Sequence, residues 1–225
     1  MINTKHKFAV VHMPKMGGSS IHWALKDYYD KDTFNFEDEG KESTSCPYIN
    51  GSDVARETTT LFKERWGFTK HTGLSDICNC LKKRNVDIQE YKFIIPIRNP
   101  WDWLASWYFV NLKIFISPRG TKPFTKKTWK DFFNNDIHKG SIRKHILNNP
   151  YNVNVVYVRV NNMQEELQSA VDEYGIKIKI EPKNVNVEKS KQPYWYYYNQ
   201  WPESIKIVEE LYKDYIDKFK WTYKD

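Results

Sequence analysis

The feature that most constrains the fold is a short apolar run that stops at a glycine-bearing loop and restarts as a helix. Phe8-Ala-Val-Val-His12 is a short apolar run that reads as a buried strand. Gly17-Gly18 follows, then Ser19 or Ser20 as a helix cap, then Ile21, Trp23, Ala24 and Leu25 at helical positions. The pattern recurs. Lys92–Ile97 is a second apolar run, with Asn99 as the cap and Pro100 at the first position of a helix that continues through Leu104, Trp107 and Tyr108. Asn154–Val160 is a third strand, leading into a helix from Asn162 to Tyr174. Strands alternating with helices imply an α/β fold of three layers, a central, mainly parallel sheet flanked by helices.

Other segments fill in around this frame. Leu74–Arg84 is helical, with Leu74, Ile77, Cys78 and Leu81 on one stripe; Thr128–Asn134 and His138–Asn148 are weaker helices. Glu181–Tyr194 reads as a loop, and the last helix starts at Pro202 and buries Ile205, Val208, Tyr212, Tyr215 and Phe219. With 225 residues the chain suits one domain, 1–225, with insertions around 30–60 and 111–150. Aromatic residues reach 16%, and the cluster Tyr194–Tyr198 with Trp201 suits core packing of the last helix, or stacking on adenine or a sugar ring.

A net charge of +7 suits an anionic ligand. The longest basic runs are short, as in Lys82-Lys83-Arg84, so no arm of the kind that binds nucleic acid is expected. The three cysteines, Cys46, Cys78 and Cys80, have no framework spacing and no paired His or Cys, which argues for a reducing, cytoplasmic setting and against a metal site. No signal segment and no membrane span is read.

His12-Met-Pro-Lys15-Met16-Gly17-Gly18-Ser19-Ser20 is built to hold an anion. The glycines let the backbone come close, the helix start offers N–H groups and a positive dipole end, and Ser19 and Ser20 add hydroxyls. Lys15 adds a charge. A kinase-type phosphate loop needs its lysine after the glycines, and here it precedes them; no acidic residue ends a strand to hold magnesium. The second motif is Arg98-Asn99-Pro100-Trp101-Asp102-Trp103-Leu104-Ala105-Ser106-Trp107-Tyr108. Arg98 sits at a strand end and Ser106 about two turns into the next helix, so a guanidinium fork and a hydroxyl can share one phosphate. Asp102 reads as a first-turn helix residue favoured by the dipole.

The first motif resembles the 5′-phosphosulfate loop of the sulfotransferases that use 3′-phosphoadenosine 5′-phosphosulfate (PAPS), above all the carbohydrate type, with Met16 and Ser19 where that family usually has Thr. The second resembles the same family's 3′-phosphate segment, with Trp103 where Arg is frequent. Weaker likeness runs through Val156–Leu167, Val185–Lys191 and Leu211–Tyr215, while residues 30–60 and 111–150 match nothing. The resemblance implies a P-loop-like fold and transfer of a sulfuryl group from PAPS to a hydroxyl or amine on a glycan or small molecule, without a metal. It implies nucleotide contacts from Lys15, Met16, Gly17, Gly18, Ser19, Ser20, Arg98 and Ser106, and from Ser190 and Lys191 in a late closing loop. Lys15 meets the bridging oxygen, and His71, in Lys70-His71-Thr72, is the expected base; His12 is expected to orient the loop, and His22, Glu64 and Asp76 are the other candidates for the base. Two rival readings stay open, an inactive module of this fold that binds a nucleotide or anionic polymer, and a P-loop kinase.

Overall fold

The computed structural model describes residues 2–28, 73–83, 85–116, 128–134, 146–180 and 193–224, with the backbone alone for Ser19, His22 and 109–116. These residues fall into two compact units, Met1–Ile97 with Asn148–Asn186, and Arg98–Leu147 with Val187–Asp225.

The first unit is α/β. Its elements are β1 (Ile2–Asn3), β2 (Phe8–Val10), α1 (Gly18–Ala24), α2 (Leu74–Lys82) and β3 (Lys92–Ile97). The second unit takes up the chain with α3 (Pro100–Ile116) and α4 (Trp129–Asn134) before the first resumes with β4 (Asn154–Arg159) and α5 (Met163–Val171). The sheet runs β1-β2-β3-β4, with β1 antiparallel to β2 and the other pairs parallel. The three apolar runs are therefore the three parallel strands.

β3 is buried along nearly its whole length, as a strand covered on both faces must be. Pro96 sits within it, although proline gives no N–H to a ladder. The pairing to β2 ends at Ile94, so Pro96 falls where β3 pairs with β4 alone. Alternate residues divide between the two faces. Phe8, Val10, Ile94 and Val158 on one face meet Ile21 of α1, Leu25 just after it, and Met163, Leu167 and Val171 of α5 in one buried cluster. Ala9, Phe93 and Ile95, on the other face, are fully buried too.

β1 is a strand that the sequence reading does not include. Ile2 and Asn3 pair with Ala9 and Phe8, and the Asn3 carboxamide oxygen accepts from the His6 N–H at 2.7 Å to close the turn. At the far end of β3, Lys92 donates to the Ala170 carbonyl at 3.1 Å and pairs with Glu173 at 2.5 Å, tying the strand to the end of α5.

The second unit is helical, continuing with α6 (Tyr194–Gln200), α7 (Glu203–Leu211) and α8 (Lys213–Phe219). Its core is aromatic. Trp101, Trp103, Tyr198 and Tyr215 are at most 1% exposed, and Trp129 stacks edge-on against Tyr108 and Tyr198. Two polar handles are satisfied inside it: Trp129 Nε1 donates to Ser204 Oγ at 3.1 Å, and Tyr198 Oη donates to the Trp101 carbonyl at 3.2 Å. Two expectations change here. The aromatic segment, of which the sequence reading places only Tyr194 at the end of a loop and gives the rest no element, forms α6, with Tyr197 and Tyr198 in the core and Trp195 and Tyr196 exposed. The single last helix is two, broken at Tyr212, whose φ of −114° and ψ of 20° leave the helical well. The helix expected over His138–Asn148 lies mostly outside the described residues.

Candidate functional site

The loop after β2 is set by its backbone. The Val11 N–H still donates to the Ile94 carbonyl at 2.9 Å, so the chain leaves the sheet at the carboxyl ends of its parallel strands. In open α/β sheets that is where ligands bind. Met13 and Met16 are then sunk into the core, at 1% and 0% exposure, while Pro14 and Lys15 between them stay half-buried. The Met16 N–H reaches back to the Met13 carbonyl at 3.4 Å, closing a turn with Pro14 at its second position and Lys15 at its third. Lys15 has φ of 64°. Proline followed by positive φ is the pattern of a type II turn, whose third position ordinarily takes glycine. A lysine there costs about 1 kcal/mol or more in backbone strain.

Met16, which was expected among the nucleotide contacts, has its whole side chain in the core, so its backbone alone faces the loop. Gly17 returns to positive φ, 74°, and is the N-cap of α1. This corrects the expectation that Ser19 or Ser20 caps the helix. The turn through Lys15 and Gly17 starts the helix at Gly18, which puts both serines inside its first turn. Among the described residues no side chain caps this end and the first turn holds no acidic residue, so the helix itself places no carboxylate at the positive end of its dipole. Lys15 and Gly17 thus take positive φ on either side of Met16, an alternation of backbone handedness related to that of anion-binding nests.

Both glycines also have close neighbours, a flexible methionine tip at Gly17 and a histidine ring at Gly18. A Cβ on Gly17 would collide with Met163 Cε and lie 3.5 Å from Val160 Cγ2. A Cβ on Gly18 would stand 2.9 Å from Cδ2 and Nε2 of His12. The imidazole of His12 thus lies against the backbone at the start of α1.

The second motif is described on its own unit. Asn99 caps α3 as its sequence implies: its side-chain oxygen accepts from the Trp101 N–H at 3.0 Å and the Asp102 N–H at 3.4 Å, and its amide donates to the Thr222 carbonyl at 2.9 Å. Arg98 Nε is bound to Asp102 Oδ2 at 2.6 Å, with the two side chains 16% and 23% exposed. Asp102 therefore does more than favour the helix dipole. It fixes the plane of the guanidinium, a role signalled by the i,i+4 spacing. Ser106, one further turn along the same stripe, is 7% exposed. Trp103 lies in the core against Trp107 and Tyr212.

His71, Ser190, Lys191 and Glu64 lie outside the described residues, and Asp76 is exposed on α2. Cys78 and Cys80 are in no disulfide, and burial pushes the Cys78 thiol up to about 11. Among the described residues, no three His, Cys, Asp or Glu side chains gather into a metal-binding group, and no helix is long and apolar enough to cross a membrane. Comparison with protein-family models, with curated proteins and with solved structures gave no match.

Proposed function

We propose that this chain is a PAPS-dependent sulfotransferase with a P-loop-like, three-layer fold. The observation that carries the reading is Lys15 held at φ of 64° in the turn between β2 and α1. Lys7 and Lys220 also take positive φ, but of the three only Lys15 stands in the loop between a parallel strand and a helix, where such strain is of the kind that ligand clamps hold. In this reading the loop 12–20 takes the 5′-phosphosulfate, with backbone N–H groups at Gly17, Gly18 and the start of α1 around it. Arg98 and Ser106 take the 3′-phosphate, and Ser190 and Lys191 close over the nucleotide.

The chemistry follows from those roles. An acceptor oxygen or nitrogen attacks sulfur in line. The S–O bond to the 5′-phosphate breaks, and its electron pair leaves on the phosphate of 3′-phosphoadenosine 5′-phosphate (PAP). Lys15 meets the charge that grows on that bridging oxygen, an interaction stronger in the transition state than in the ground state. The acceptor proton passes to His71. The acceptor is a glycan or small molecule.

The test is turnover of labelled PAPS against a panel of hydroxyl and amine acceptors in EDTA, with Lys15→Ala beside the wild type. The reading expects transfer without divalent metal and a loss of kcat of roughly a hundredfold in the variant. Transfer that is lost in EDTA and restored by magnesium contradicts it.

A further inference from the structure

Arg98 is gripped from a distant part of the chain. Tyr215, on α8 and 1% exposed, accepts a hydrogen bond from the Arg98 N–H at 3.1 Å and donates one to the Arg98 carbonyl at 2.9 Å. One buried hydroxyl thus serves both backbone groups of a residue that lies between a strand and a helix. The next residue is held from the same segment, through the bond from Asn99 to the Thr222 carbonyl. Asp102 grips the other end of Arg98, at Nε. The hydroxyl sets the backbone and so the direction in which the side chain leaves it. The carboxylate sets the guanidinium plane. Those are the two settings that a planar, bidentate contact to a phosphate requires, and a group 1 Å out of place loses most of it.

We infer that Tyr215 and Asp102 are positioning residues for Arg98, and that through it they set the preference for a nucleotide carrying a 3′-phosphate. The inference rests on the reading above that Arg98 takes that phosphate. Core packing alone does not explain the arrangement. A phenylalanine fills the volume of Tyr215, and helix-dipole stabilisation by Asp102 needs no bond to Nε. What both residues share is Arg98.

Two nucleotides that differ only in the 3′-phosphate separate this role from a general loss of structure. Calorimetric titration of the full chain with PAP and with adenosine 5′-monophosphate gives the ratio of affinities. Tyr215→Phe and Asp102→Asn should each weaken PAP by about tenfold and leave the monophosphate within about twofold, the loss expected when a charge-assisted contact goes out of line. Arg98→Lys should lose the same ratio. A wild type that prefers PAP and two variants that keep its ratio overturn the inference while leaving the reading intact. A wild type with no preference overturns the reading, and the inference with it. Should Tyr215→Phe not fold, the ratio in Asp102→Asn decides alone.

Discussion

The imidazole of His12 lies so close to Gly18 that a Cβ on the glycine would stand 2.9 Å from two of its ring atoms. A strand end and a helix start are thereby locked face to face, and the loop between them has its ends fixed. Gly18→Ala should cost about 1–3 kcal/mol, the usual cost of overpacking, because the ring must move. His12→Ala together with Gly18→Ala should be more stable than the sum of the two single changes by about 1 kcal/mol or more. Denaturant unfolding of the four proteins measures this, and additive changes would show that the ring does not limit the glycine.

The strain at Lys15 separates stability from function. Lys15→Gly and Lys15→Ala both remove the ammonium, but only the glycine is at ease at φ of 64°. Lys15→Gly should be the more stable of the two by about 1 kcal/mol in denaturant unfolding, with transfer lost in both. Equal stability would mean that the turn relaxes when the lysine is removed.

Lys92 and Glu173 give an acid-dependent contribution to stability. The hydrogen bond from Lys92 holds the Glu173 carboxyl below its ordinary value of 4.5. A carboxyl depressed in the folded state stabilises above its unfolded value, and that contribution is lost as pH falls through the folded one. Glu173→Gln should therefore be less stable than wild type at neutral pH, and the gap should close below 4.5. The gap should also narrow in high salt, since Glu173 is 55% exposed. Chemical denaturation across pH shows whether it closes.

The two described thiols should differ in reactivity. Cys78 is buried and pushed up to about 11, whereas Cys80 is half-buried. In a Cys46→Ser background a thiol reagent at neutral pH should label Cys80 in the native protein and Cys78 only after unfolding. Native labelling of Cys78 would show that α2 opens readily.

What the sequence made legible follows from how local each signal is. β2, β3 and β4 announce themselves because a short apolar run has no other use, and α3 because Asn99-Pro100 is a start signal within two residues. β1 did not, since Ile2 and Asn3 are fixed by pairing with β2 and by no pattern of their own. Five aromatic residues in a row carry no helical period, so α6 was hidden. The opposite happened at Tyr212, where the apolar period runs on through a break in the helix. At the candidate site the residue types were readable and their settings were not. Pro14 marks the turn that strains Lys15, but only the backbone shows the strain. Tyr215 stands 117 residues from Arg98, and no local pattern connects them.

The central claim is that this chain is made for a nucleotide with phosphate at both ends, and titration calorimetry with PAP against ADP and ATP, in EDTA, tests it most directly. The account predicts that PAP binds at least about tenfold more tightly than either, the difference that a bidentate arginine contact to the 3′-phosphate supplies. Equal affinity for PAP and ADP would contradict it.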